Sequence, residues 1–304
     1  LGLEDSKSIE NSLMSKVIHD GKRYVVPLPW QEDHPLLPDN YAHARKRFFT
    51  LLTRLQKDSN LLAKYDNIMR EQLQQEIIEE VNDTETVEIG KVYYMPHTCV
   101  IREDKATSKV RVVFDASAKT DGVSLNDCLH SGPSWYSDLF AILLRFRCHR
   151  IGIVADLEKA FLNVAVQKKD QDVLRFIWTD EPHQEHPKLK AFRFTRVCFG
   201  VSSSPFLLAS VIKTHLDANS VELPALSYEF ENSTYVDNYC GGADNVRDGK
   251  QFHADSKRLF KEAGMNLRQW STNNQELQAS FGEASNHHES SPKEPTFAET
   301  NLNP

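Results

Sequence analysis

An α+β fold, with an antiparallel sheet packed on helices, is what this chain predicts. Three observations lead there. Apolar residues recur at helical spacing between Asn40 and Ile77. Runs of β-branched and aromatic residues replace that period from Lys91 to Ser117. Further on, two β-patterned runs, one in Ile151–Asp156 and one in Ser233–Asp237, each end on an aspartate.

The elements follow in chain order. Residues 1–38 read as an irregular N-terminal segment, because Pro27, Pro29, Pro35 and Pro38 forbid a long helix. The main domain is expected over 39–273. Its first helix begins near Asn40, with Tyr41, Ala44, Phe48, Leu51, Leu52 and Leu55 on one face. A second follows a Ser59 cap, with Leu62, Tyr65, Met69, Leu73 and Ile77 on its apolar stripe. Strand patterns occupy Val92–Pro96, Thr98–Arg102 and Lys109–Asp115, the last two joined by a charged hairpin loop at Glu103–Ser108. A helix is expected over Ser137–Phe146, then the strand ending at Asp156, then strands at Val173–Trp178 and Ala191–Phe194. Gly200–Pro205 opens another helix, with Ser204 as its cap and Pro205 in its first turn. The stretch Ser233–Gly242 reads as a hairpin, followed by a helix over Gly249–Ala263, a stop at Gly264 and a strand at Met265–Trp270. Residues 274–304 lack periodicity and read as a disordered polar tail.

Composition narrows the function classes. Hydrophobic residues make up 40% and charged residues 26%, as in a water-soluble domain with a substantial core. No apolar run is long enough for a membrane span and no signal peptide is visible, so no membrane partner is expected. The five cysteines are odd in number and contain no C-x-x-C pair, which argues against zinc and disulfide frameworks and for a reducing compartment. The net charge of −7 argues mildly against a non-specific nucleic-acid binder. Basic residues nevertheless cluster at Arg45–Arg47, Arg102–Arg111 and Arg145–Arg150, enough for a basic groove. The chain opens on Leu1 rather than Met, which reads as a fragment or a segment of a longer polyprotein.

Asp156 and Asp237 are the leading candidates for chemistry. Taken alone, Asp156 reads as a turn residue after a strand. Paired with Asp237 at a hairpin tip, it reads as a ligand for two hard cations, which can activate an attacking hydroxyl and stabilise a leaving oxygen. Glu158 is a secondary candidate. Lys109 and Arg111 lie two apart on one strand and so face one way. A clamp on a triphosphate and a solvated strand face explain them equally well, and Arg102 and Lys105 could join the same patch. Phe161 reads first as a core aromatic. Gly200 with its serines reads as a helix start or as a turn that admits a bound nucleotide. His183 and His186 have H-x-x-H spacing but no third ligand, and read as solvated loop residues.

Together these segments resemble the reverse transcriptase domain of BEL/Pao-type long-terminal-repeat retrotransposons. The resemblance spans roughly residues 35–273 and rests on an ordered series: Tyr94-Met-Pro-His97, Lys109–Ser117, Leu125–His130, Gly132-Pro133, Ile142–Arg147, Ala155–Phe161, Phe199–Phe206, Tyr235-Val-Asp-Asn238 and Asn266–Trp270. It implies a right-hand polymerase with fingers and palm, an antiparallel palm sheet packed on helices, and a largely missing thumb. It implies two-metal transfer of deoxynucleotides (dNTPs) to a primer 3′-hydroxyl on an RNA or DNA template, with two Mg²⁺ or Mn²⁺ ions on Asp156 and Asp237. Arg111 resembles the fingers arginine on the triphosphate, and Lys109 or Lys105 its neighbouring lysine. Phe161 resembles the aromatic that excludes a ribose 2′-hydroxyl. Phe199 and Gly200 resemble the nucleotide-pocket turn, although many relatives have Gln at the first of these positions. Tyr235 and Val236 would lie near the primer end.

Asn238 departs from the pattern, which ends Asp-Asp in the family. Two outcomes follow from the resemblance: a polymerase weakened at this degenerate position, or an inactive or host-recruited remnant that at most binds nucleic acid. Implied partners are RNA or DNA template-primer, dNTPs and, in an intact element, the RNase H and integrase parts of a Pol polyprotein. The implied location is the cytoplasm, in virus-like particles, with access to the nucleus.

Overall fold

Short local rules account for most of the elements. In the computed structural model, which describes residues 12–82, 88–101, 110–133 and 138–282, a helical turn at residues 12–14 is followed by a small hairpin. Strands β1 (Ile18–His19) and β2 (Tyr24–Val26) pair antiparallel, and the Asp20 carboxylate accepts the backbone N–H groups of Lys22 and Arg23 inside the turn. The expectation of an irregular 1–38 segment is therefore corrected for Ile18–Val26. The proline argument reaches only from Pro27 onward, and the strands before it are too short to show alternation.

Helix α1 (Tyr41–Gln56) buries Ala44, Phe48, Leu51, Leu52 and Leu55 of the expected stripe, while Tyr41 at its start is exposed. Helix α2 (Ser59–Gln74) is capped by Asp58 rather than Ser59, its carboxylate accepting from the N–H groups of Asn60 and Leu61. Strand β3 (Ile78–Glu80) follows, then β4 (His97–Ile101) and β5 (Val110–Phe114), which form a two-stranded hairpin. The one-turn helix α3 (Leu125–Cys128) begins in a reciprocal capping box between Ser124 and Asp127. Next come α4 (Leu139–Cys148), β6 (Ile151–Leu157), a 3₁₀ turn at Ala160–Asn163 and β7 (Ala165–Val166). A 3₁₀ helix at Lys168–Leu174 takes Val173 and Leu174 from the expected strand at Val173–Trp178, leaving β8 (Arg175–Trp178) before β9 (Lys190–Phe194).

Helix α5 (Ser204–Asn219) is followed by α6 (Pro224–Ser233), an element no sequence signal had marked beyond the proline at its start. The hairpin of β10 (Thr234–Tyr235) and β11 (Asn238–Ala243), helix α7 (Val246–Glu262), strand β12 (Leu267–Thr272) and helix α8 (Gln275–Ser280) complete the described chain. Helix α8 corrects the disordered-tail expectation over 274–282. Asn274 caps it, Leu277 is fully buried, and Phe281 packs on Trp270 and His253. Two apolar residues four apart are too few to register as a period, yet they suffice to dock one turn and a half. The rest of the tail lies outside the described residues.

The result is an α+β arrangement of small, mostly antiparallel sheets. One has the order β10-β11-β6-β12, another β3-β9-β8; β4-β5 stands alone, and β1-β2-β7 contains a parallel pair between β2 and β7. Two buried relays tie these layers together. The Tyr65 hydroxyl donates to His97 Nδ1 at 2.6 Å, and His97 Nε2 donates to the Ile177 carbonyl at 2.8 Å. Tyr24, His215 and the Leu259 carbonyl repeat the pattern at 3.0 and 2.8 Å. A carbonyl can only accept, so each ring carries a proton on Nε2. Burial pushes the His97 pKa down to about 4 and lowers that of His215 as well. No helix among the described residues is long and apolar enough to cross a membrane.

Candidate functional site

The sheet β10-β11-β6-β12 brings the two aspartates together. In β11, Tyr239, Gly241 and Ala243 face the core, and alternation turns Asn238, Cys240 and Gly242 the other way. Antiparallel pairing sets Asn238 opposite Asp156, Cys240 opposite Val154 and Gly242 opposite Gly152. Asp156 therefore stands on the more open face, beside the hairpin tip. Val236 and Asp237 form that two-residue tip, and Leu157 N donates to the Asp237 carbonyl at 2.8 Å. Val236 has φ +58°, a left-handed conformation that suits a tight hairpin but costs a β-branched residue about 1–2 kcal/mol. Its side chain packs against the core, which holds the tip in that shape.

The electrostatics of this pair are those of a site short of positive charge. Partial burial raises the pKa of both carboxyls, and the charge of Asp237 raises Asp156 further. Arg268 opposes the shift: it lies across from Asp156 in β12, its Nε is 3.5 Å from Asp156 Oδ2, and its Nη1 is 3.1 Å from Glu158 Oε1. Glu158 also accepts from Asn266 Nδ2 at 2.9 Å, so its two oxygens are engaged by partners in and beside β12. Asn238 Nδ2 donates to Asp237 Oδ1 at 2.8 Å, taking up a lone pair that a cation would use.

The donor set fits a hard divalent cation of the Mg²⁺ kind, which needs only one or two protein carboxylates. Asp156 and Asp237 would hold it. Among the described residues no group of three or more His, Cys, Asp or Glu is arranged to hold a metal ion, and His183 and His186 are exposed.

A second group of residues lies at the junction of β5 with the Phe199–Ser204 turn. Gly200 has φ +100°, and a Cβ there would collide with the carbonyl oxygen of Phe114 at the end of β5. Asn126 fixes the same turn. Its Nδ2 donates to the Gly200 carbonyl (3.0 Å) and to Ser117 Oγ (2.8 Å), and its Oδ1 accepts from Ser202 N (2.9 Å). Phe161, 6% exposed, packs edge-on to Phe199, 54% exposed, with centroids 4.7 Å apart. So the expected pocket residues Phe161, Phe199 and Gly200 do meet.

Arg111 is placed on the exposed side of the β4–β5 hairpin, opposite Val100, and makes no ion pair with either aspartate. Lys105 and Lys109 lie outside the described residues. Tyr235 is exposed beside the hairpin tip and Val236 half-buried within it. Arg268 and Asn126 were missed as site residues. Both fall inside the quoted motif pieces, but plain alternation from the buried Trp270 would have turned Arg268 toward the core, and only the bulge in β12 brings it to Asp156. Comparison with protein-family models gives no match for this chain, and comparison with curated proteins gives none either.

Proposed function

We propose that this chain is the polymerase part of a retroelement reverse transcriptase, a fingers-and-palm unit in which Asp156 and Asp237 hold the divalent cations of nucleotidyl transfer. The observation that carries the reading is the pairing of β11 with β6, which sets a hairpin-tip aspartate beside a strand-borne one on an open face, both held toward protonation. Bound cations would lower the pKa of a primer 3′-hydroxyl and offset charge on the leaving pyrophosphate. The chain's own residues supply the rest. Asp156 and Asp237 would orient the ions, Arg268 keeps the Asp156–Glu158 pair from repelling itself apart, and the exposed Phe199, held by the Gly200 turn against Phe114, offers an aromatic surface to a deoxynucleotide. Arg111, exposed and without an ion pair among the described residues, is available for a triphosphate.

One observation favours the second reading, an inactive remnant that binds nucleic acid at most. Asn238 brings an amide where a third carboxylate would stand, and that amide is hydrogen-bonded to Asp237. Primer extension on an RNA template with Mg²⁺ or Mn²⁺ separates the two. Extension that Asp156→Ala abolishes supports the polymerase. No extension, with template-primer still bound, supports the remnant.

A further inference from the structure

Arg196 breaks the rule that buried charges are paired. It is 9% exposed, its Nε is sealed from solvent without a hydrogen-bond partner, and among the described residues it forms no ion pair. Its position is set by backbone pairing. Ala165 of β7 bridges to Arg196 on one side and pairs with Val25 of β2 on the other; the Val166 N–H donates to the Thr195 carbonyl and the Val197 N–H to the Val164 carbonyl, both at 2.9 Å. Val25, Ala165 and Arg196 thus form one row across the sheet. Arg23, two residues before Val25, belongs to the same face.

Burial and the charge of Arg23 both disfavour the Arg196 cation, and Glu76 and Asp20 offset this only in part. Asp20 Oδ1 accepts from the N–H groups of Lys22 at 2.8 Å and Arg23 at 2.9 Å, and among the described residues Asp20 forms no ion pair with Arg196. Among the described residues neither guanidinium on this face forms an ion pair, and one of them is buried. Two planar forks together can share the oxygens of one tetrahedral phosphate.

We propose that Arg23 and Arg196 form a phosphate-binding site on the face of the β1-β2-β7 sheet, on a different sheet from the carboxylate pair. The phosphate is either a phosphodiester of a nucleic-acid strand or free inorganic phosphate. The site needs no divalent cation, so an inactive result in primer extension leaves it untouched.

The test is a titration of the full chain with inorganic phosphate at fixed ionic strength, without divalent cations, read by calorimetry and by thermal unfolding. Phosphate is expected to bind and to raise the melting temperature, and both Arg196→Met and Arg23→Gln to weaken binding about tenfold or more. Arg23 lies at a hairpin and its variant carries the test if Arg196→Met fails to fold. A second arm adds a short single-stranded oligonucleotide. Displacement of phosphate, with a salt slope smaller by about 0.7 in Arg23→Gln, identifies the phosphodiester source. Phosphate binding without displacement identifies free phosphate, and the site stands in either case. No effect of phosphate on the wild-type chain, or an equal effect in both variants, overturns it.

Discussion

Replacing Asn238 by Asp should make the chain less stable without divalent cations and restore it with them. The substitution removes the donor that Asp237 Oδ1 accepts at 2.8 Å and puts a second carboxylate in its place. In an exposed position a hydrogen bond to a charged group is worth about 1 kcal/mol. Two like charges about 4 Å apart repel by about 1 kcal/mol in bulk water and more near a protein surface. The sum is a loss of about 1–3 kcal/mol, or about 2–8 °C in melting temperature for a chain of this size. Asn238→Ala loses the hydrogen bond without adding charge, so it should show only about 1 kcal/mol of the loss. Melting curves of the three proteins in chelator and in saturating Mg²⁺ make the comparison. Mg²⁺ should stabilise Asn238→Asp more than wild type, and any primer extension by the chain should rise with it. An unchanged melting temperature in chelator, or a Mg²⁺ response equal to that of Asn238→Ala, would refute the idea that this position faces the carboxylate pair.

Two further outcomes concern the frame around the site. Gly200→Ala should cost about 2–4 kcal/mol in urea unfolding, because φ +100° strains any side chain there and the new Cβ collides with the Phe114 carbonyl; a loss below about 1 kcal/mol would show that the turn shifts freely. His97 is neutral when folded, with a pKa of about 4 against about 6.5 unfolded, so the unfolded chain takes up the proton first as pH falls. Its contribution is intact above about pH 6.5 and should decline by about 3 kcal/mol as pH drops to about 4; an equal pH slope for His97→Gln would contradict it.

Legibility in the sequence followed the length of the pattern. Helices α1 and α2 were readable because their apolar residues repeat over four turns each. The strand ending at Asp156 and the hairpin at Asp237 were readable because β-branched runs stop abruptly at turn residues. Helix α6 was not, since Pro224 is its sole boundary mark and its buried residues Leu226, Ser227, Phe230 and Ser233 mix polar with apolar. The β1–β2 hairpin and α8 were too short for any period. Within the site, the carboxylates were legible as a pair, because each closes a β-patterned run. Arg268 was hidden by a bulge: Gln269 has φ +53° and the register shifts between Arg268 and Ser271, so alternation along β12 does not run evenly. The motif residue His97 stood in a quoted family segment, and the structure shows it buried against Tyr65 rather than in any cleft.

The bulge in β12 has a consequence beyond the placement of Arg268. The sheet that carries the aspartates is open, and an open sheet invites a neighbouring molecule to add a strand. One of its borders is β10, only two residues long, and the other is β12, broken in the middle by Gln269. Neither border offers a straight ladder of free N–H and C=O groups. The long, well-paired strands β6 and β11 occupy the interior. The face that bears Asp156 and Asp237 thus belongs to a sheet whose borders disfavour edge-to-edge addition of a further strand.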